Sequence, residues 1–297
     1  MNTIEIERKC AITPADFARD HLDGIGKPVI VTDAMDQWRA MQEWSFSSLG
    51  ERFGGDLVPV SLGLMSPVAK MTKLSAFLGH LEQPDGELPG FWVNAGDGRP
   101  LANGPAKEDR AAYYLMGWFA FQKHPELLEE IQPPPYFVAD WELALSPQMR
   151  EIFQWVSGRE TTSLYVGAEG TLSPLHCDFW NTHAYLAQVR GRKRVMLFPP
   201  GDCDFLYGGR VDPALADPGE FPLFANATAY TGTIGPGDML FMPSGWWHWV
   251  LGLENSITVS HNFFNQANFN EHLGGLMRNL PRLVEGFQRH PQWKDAL

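Results

Sequence analysis

Beyond residue 160 the apolar positions come in short runs, each closed by Gly, Pro or a polar turn. Residues 163–166, 184–189, 193–198, 228–233, 238–242, 248–253 and 257–263 each read as a strand. Strands so closely spaced predict an antiparallel barrel or jelly roll. The first half mixes periods. Residues 14–24 open after Thr13-Pro14 and stop at Gly24, as a short helix does. Residues 28–33 read as a buried strand, 44–53 as a helix and 57–62 as a strand. Gly, Pro and Asp crowd residues 83–107, which predicts loop around a strand at 91–93. Residues 110–121 carry Tyr113, Tyr114, Trp118 and Phe119, and Gln132 to Pro135 form a stiff connector before a helix expected over 146–156. At the far end, Leu273, Leu276, Met277, Leu280, Leu283, Val284 and Phe287 recur at three- and four-residue steps, a helical stripe that Pro281 kinks or divides. The expected organisation is a mixed α/β region over 1–160, a β core over 161–266 and a helical segment over 267–297.

Composition narrows the class. At 297 residues with 44% hydrophobic and 20% charged positions, the chain can bury a substantial core. Its formal net charge of −12 repels polyanions, so no nucleic-acid partner is expected. No apolar run is long enough to span a bilayer and the first residues lack a secretory pattern, so no membrane association is expected. Cys10, Cys177 and Cys203 are odd in number and lack CxxC spacing, which argues against a disulfide framework and for a reducing cytoplasm.

The candidate chemistry lies in the strand-rich half. His176 and Asp178 sit in Ser173-Pro174-Leu175-His176-Cys177-Asp178, and as i and i+2 on a strand they face one side, with Cys177 facing the other. His248 ends Gly235-Pro236-Gly237-Asp238-Met239-Leu240-Phe241-Met242-Pro243-Ser244-Gly245-Trp246-Trp247-His248. Two imidazoles and one carboxylate make the facial triad of a non-haem Fe(II) oxygenase, with open positions left for a cosubstrate and O2. An HxD pair alone is weak, because His–carboxylate hydrogen bonds are common in cores. The distant His in its Gly/Pro-punctuated setting strengthens it. Lys193 follows Gln188-Val189-Arg190-Gly191-Arg192 and precedes an apolar strand. The bland reading is a solvated basic hairpin. Alternation instead points Lys193 away from Arg192 and Arg194, and a lysine aimed into a barrel needs an anion such as a dicarboxylate cosubstrate.

The stretches 167–178, 188–200 and 235–248 resemble the JmjC/cupin-like 2-oxoglutarate oxygenases, nearest the branch of the asparaginyl hydroxylase acting on hypoxia-inducible factor. Gly26 to Val31, with Trp38 and Trp44, also resembles the start of that branch, so the resemblance covers about residues 15–265. It implies a double-stranded β-helix core with a C-terminal helical tail, and Fe(II) held by His176, Asp178 and His248. It further implies Lys193 on the far carboxylate of 2-oxoglutarate, assisted by Ser173 and Tyr114, with Asn262 beside the cosubstrate. Relatives carry an Asn four residues after the metal Asp. Here that position is Thr182, and either Asn181 or His183 is left to fill the role.

The implied activity is hydroxylation of a protein side chain or small molecule, with Fe(II), 2-oxoglutarate and O2. Rival readings are an N-methyl-lysine demethylase, a non-catalytic cupin-like binding module, and a metal cupin that works without 2-oxoglutarate. Trp246, Trp247 and Trp249 are expected at the barrel mouth or in its packing. Relatives of this branch dimerise through C-terminal helices, so the stripe over 268–289 is an expected homodimer contact.

Overall fold

Period-two alternation builds the centre of the molecule, seen here in a computed structural model. Residues 1–278 are described, apart from positions 65, 85, 95–97, 103–111, 138–140, 142–144, 148, 153–160 and 179; beyond 278 only positions 281, 284, 285 and 288 are described.

In chain order the first elements are β1 (Asn2–Glu5), β2 (Arg8–Lys9) and α1 (Pro14–Phe17), which runs into a π turn, Ala18–Leu22. Next come β3 (Val29–Val31), α2 (Ala40–Glu43), α3 (Phe46–Phe53), β4 (Leu57–Ser61), β5 (Val68–Lys73), α4 (Leu74–Glu82), β6 (Phe91–Asn94), β7 (Tyr114–Leu115) and α5 (Ala120–Lys123). The second half holds β8 (Thr162–Gly167), β9 (Leu172–Cys177), β10 (His183–Arg190), β11 (Lys193–Phe198), β12 (Thr228–Ile234), β13 (Met239–Met242), β14 (Trp247–Gly252), β15 (Ser256–Phe263) and α6 (Phe269–Arg278).

Strands β8 to β15 divide into two sets of four, ordered β12-β11-β14-β9 and β13-β10-β15-β8. Every pairing within the two sets is antiparallel, which is the jelly roll that the strand spacing predicts. The N-terminal region extends both sheets. β1 adds in parallel to β12, β2 and β3 continue beyond β13, and β7-β4-β5-β6 continue beyond β8.

Alternation sends each sheet's two faces to different cores. On β10, Ala184 and Leu186 meet Val195 and Leu197 of β11 between the sheets. Tyr185, Ala187 and Val189 turn the other way, onto Phe17, Trp38, Trp44, Leu49 and Phe77 from the N-terminal region. On the opposite sheet, Met196, Phe198 and Trp249 turn outward onto Leu206, Val211 and Phe224 of the 199–227 connection. Large apolar side chains on both outer faces explain why all of these strands read as apolar runs, as sheets covered on both sides do.

Differences from the sequence expectations are local. The helix expected over 44–53 begins at Phe46, because Ser45 and Ser48 form a reciprocal cap, Ser48 N donating to Ser45 Oγ at 3.0 Å and Ser45 N to Ser48 Oγ at 2.8 Å. The helix expected over 14–24 breaks into α1 and the π turn. Seven elements were not expected: β1, β2, α2, β5, α4, β7 and α5. β5 hides behind Lys70, which is 1% exposed yet sits in the strand, its ammonium 2.6 Å from Glu87 and over the Trp92 ring. Much of the helix expected over 146–156, and positions 279–280, 282–283, 286–287 and 289 of the C-terminal stripe, lie outside the described residues.

Candidate metal centre

His176, near the end of β9, pairs across the sheet with His248 of β14. The two rings are 4.1 Å apart, centroid to centroid. Asp178 is the first residue after β9, and its Oδ1 lies 3.9 Å from His248 Nε2. One ligand atom from each of the three falls within 4.8 Å of the other two, and among the described residues this is the single such His/Cys/Asp/Glu cluster.

Hydrogen bonding fixes which atoms point inward. His176 Nδ1 lies 2.7 Å from the Pro174 carbonyl, and His248 Nδ1 lies 3.2 Å from the Trp246 carbonyl. A carbonyl only accepts, so both Nδ1 atoms carry the proton and both Nε2 atoms present lone pairs. Asn262 on β15 donates through Nδ2 to Asp178 Oδ2 at 2.7 Å and to Thr182 Oγ1 at 2.8 Å. Oδ1 is thereby the carboxylate oxygen on the imidazole side. Two nitrogens and one oxygen on one face suit a six-coordinate divalent first-row ion with positions left open.

A bulge aligns this cluster with a second one. Between the pairs Ser173↔Val250 and His176↔His248, β9 inserts Pro174 and Leu175 against the lone Trp249. Without the extra residue Ser173 and His176 would face opposite sides; with it both face the barrel interior. Proline at this position costs no ladder bond.

Lys193 starts β11, with the solvent-exposed Arg192 and Arg194 on either side, and is itself 2% exposed. Its Nζ donates to the Tyr114 hydroxyl at 3.4 Å and lies 5.4 Å from that ring's centre. No ion pair to Lys193 occurs among the described residues, and burial alone pushes its ammonium down to about 7. Tyr114 reaches the same spot from β7, its phenol raised by burial and then by Tyr165, and lowered by a hydrogen bond with Ser173. Lys193, Tyr114 and Ser173, three residues drawn from separate sequence regions, thus meet in one place.

The other expected pocket residues divide. Asn262 does stand beside the cluster. Asn181 turns away: its Nδ2 donates to the Glu271 carbonyl at 3.2 Å, and its own carbonyl accepts from Ser244 Oγ and Asn268 Nδ2. A left-handed backbone, φ 51°, rotates the side chain out of the barrel. His183 also points away, packed against Phe241 and Phe263; its Nδ1 accepts from Ser244 N at 3.0 Å, and burial drives its imidazolium down to about 3. Thr182 is the residue of this turn that engages Asn262. Tyr165 of β8, ring centre 5.8 Å from Tyr114, also belongs to this lining, and sequence reasoning missed it. Its signal was available, since alternation on β8 sets Tyr165 on the face opposite Leu164 and Val166, which are in the outer core.

Cys177 pairs with Trp247 on the outer face, as alternation predicts, and burial with the Asp178 charge pushes its thiol up to about 12. Trp247 and Trp249 pack on that outer face, whereas Trp246 enters the core between the sheets.

Fold and site together define a cupin-type barrel with a two-His, one-carboxylate cluster inside it. Comparison with known proteins gives the same result: the cupin-like domain family matches residues 14–271, and the chain belongs to that family. A 2-oxoglutarate and iron-dependent oxygenase, JMJD4 of Gallus gallus, is 26% identical over 279 residues, 89% of this chain and 60% of that protein. Lysine-specific demethylase JMJ21 of Arabidopsis thaliana is 27% identical over 277 residues, 89% of this chain and 26% of that protein. Arginine-specific demethylase JMJ20 of the same plant is 26% identical over 274 residues, 85% of this chain and 55% of that protein. The chain therefore spans between about a quarter and three-fifths of the length of these relatives. Among the described residues no helix is long and apolar enough to cross a membrane.

Proposed function

We propose that this chain is an Fe(II)- and 2-oxoglutarate-dependent oxygenase that hydroxylates a protein side chain or a small molecule. The observation that carries this reading is the pairing, in one barrel, of the His176–Asp178–His248 cluster with a buried lysine free of any carboxylate among the described residues. Iron and 2-oxoglutarate bound here would supply, with O2, a two-electron oxidation of substrate coupled to decarboxylation of the cosubstrate to succinate.

The chain's own residues orient and shield. His176 and His248 would ligate through Nε2 and Asp178 through Oδ1, each held by its second hydrogen bond. Lys193 would take the far carboxylate of 2-oxoglutarate, with the Tyr114 and Ser173 hydroxyls beside it. An arriving carboxylate relieves the cost of the buried ammonium, so the pocket favours the dianion by returning what desolvation took. Val195, Leu197 and Leu186 wall the interior and keep water from it. The name of JMJD4, a 2-oxoglutarate and iron-dependent oxygenase, supports the cofactor pair.

Demethylation is the second reading, supported by the two relatives named as demethylases. Hydroxylation of an N-methyl group, followed by loss of formaldehyde, uses the same site. A non-catalytic binding module is disfavoured, since it has no need of three oriented ligands and a buried ammonium. Succinate release with Fe(II) and 2-oxoglutarate, followed by a mass screen of methylated and unmethylated peptides and of metabolites, tests the reading. A product 16 Da heavier than its substrate supports hydroxylation. Formaldehyde release supports demethylation, and no succinate under any condition sinks both.

A homodimer through the C-terminal helix extends this proposal. Phe269, Leu273, Met277 and Val284 are exposed there by 39%, 42%, 57% and 49%, and apolar faces left open are candidates for association. The side chains of Leu276, Leu280, Leu283 and Phe287 lie outside the described residues. Sedimentation of the full chain at micromolar concentration decides it, and a monomer ends the idea. The three unbridged cysteines support a reducing cytoplasm as the site of action.

A further inference from the structure

From Asp178 the chain must reach His183, the start of β10, through one tight turn. Asn181 N closes it by donating to the Asp178 carbonyl at 3.2 Å. Two consecutive residues of this turn adopt left-handed backbone, Trp180 at φ 77° and Asn181 at φ 51°. Asn tolerates that conformation, but a bulky Trp does so only where its surroundings over-determine it.

The surroundings here come from α6 and the residues leading into it. His272 Nδ1 donates to the Trp180 carbonyl at 3.0 Å, and its ring lies flat on Phe264, 4.0 Å away at 9°. Asn268 Nδ2 donates to the Asn181 carbonyl at 2.9 Å, and Asn181 Nδ2 donates back to the Glu271 carbonyl. Gly275 makes the closest approach. A Cβ at that position would lie 2.5 Å from Trp180 Cα and 2.9 Å from its carbonyl carbon, so only glycine admits the turn's backbone. At the turn's far end, Thr182 Oγ1 accepts from the same Asn262 amide that donates to Asp178 Oδ2.

We propose that α6 is a positioning element for the metal carboxylate: Gly275 and His272 lock the Trp180–Asn181 turn, and the locked turn with Asn262 aims Asp178 Oδ1 at the two imidazoles. This rests on the reading of the cluster as a metal site, and it gives the C-terminal helix a second task on its inward face. Gly275 and His272 both meet the turn at the backbone of Trp180. They act through backbone, as the groups behind metal ligands do elsewhere.

The test uses the full chain and metal alone. Mn(II) affinity is titrated, and the visible spectrum of the Co(II) form reports ligand geometry. Gly275→Ala and His272→Leu are each expected to weaken Mn(II) binding about 10- to 100-fold and to alter the Co(II) bands, with thermal unfolding still cooperative. The control Asn270→Ala, at an exposed position of the same helix, keeps the parent values; an equal loss there means that the helix acts only through general stability and overturns the assignment. Should Gly275→Ala fail to fold, His272→Leu decides alone. Variants that bind within about twofold of the parent, with unchanged Co(II) bands, overturn the proposal. A parent chain that binds no Mn(II) overturns the metal-site reading itself and takes this one with it, a result distinct from the previous one.

Discussion

At one end of the pocket, each of three ligand side chains is pinned by a second hydrogen bond: His176 and His248 by carbonyls, Asp178 by Asn262. At the other end, Lys193 is more deeply buried than any of the three and has a phenol oxygen 3.4 Å away. The metal end is organised before anything binds. The anion end carries a desolvation cost that a carboxylate would relieve. An ion at the first end therefore meets fixed geometry, while a carboxylate at the second supplies the missing partner, so the two ends should answer differently to substitution and to pH.

The largest expected effect is at the pinned end. Asp178→Ala should abolish stoichiometric Fe(II) or Mn(II) binding, measured by calorimetry. Full retention would remove the metal end from the comparison altogether.

Lys193→Ala should leave metal affinity near the parent value and raise the 2-oxoglutarate requirement tenfold or more, since removing one member of a buried charge pair costs about 3–5 kcal/mol. Lys193→Arg should also be damaging, because a planar fork does not replace a compact ammonium. An unchanged cosubstrate titration would sink the role of Lys193.

The third effect is a pH slope. Burial depresses the free-state ammonium of Lys193 to about 7, and a bound carboxylate raises it again. Binding therefore takes up a proton above that pH. Affinity for 2-oxoglutarate should be fully present below about 7 and weaken as pH rises through it, at most about tenfold per unit. Folding of the unliganded chain moves the opposite way. The unfolded lysine, ordinarily near 10.5, holds its proton where the folded one has lost it, so this group's burden on stability eases between those two values. In Lys193→Ala both slopes should vanish, and a persisting slope assigns them to another group.

His183→Leu should do least. Its ring sits among Phe241 and Phe263, neutral and outside the barrel interior, so neither end should change by more than about twofold, while unfolding loses about 1 kcal/mol with the Ser244 N–H bond. A large loss of 2-oxoglutarate affinity would return His183 to the pocket.

The same contrast governs how much of the molecule was legible in the sequence. Lys193 and His248 were readable because strand alternation is a local rule that holds along β11 and β14, and His176 and Asp178 because their i, i+2 spacing falls past the irregular step of β9. The bulge at Pro174–Leu175 was not readable as such, since it shows only when β9 is laid against β14. The turn after Asp178 failed for a related reason. Spacing offered Asn181 and His183, but a left-handed Trp180–Asn181 pair held by α6 turns the first outward and leaves Thr182 facing Asn262. In the N-terminal half, α4 was visible in principle, because Leu74, Phe77, Leu78 and Leu81 follow helical spacing and are all buried. β1 left no such trace, since all four of its residues are exposed and its single partner, β12, is more than two hundred residues away.

The central claim is that the two ends form one Fe(II) and 2-oxoglutarate site. Anaerobic visible absorption tests it most directly: the chain is loaded with Fe(II) and titrated with 2-oxoglutarate. The account predicts a charge-transfer band that saturates at one equivalent in the parent chain, is absent in Asp178→Ala, and in Lys193→Ala appears only at about tenfold or more excess cosubstrate. A parent chain without the band, or one whose band survives Asp178→Ala unchanged, would contradict it.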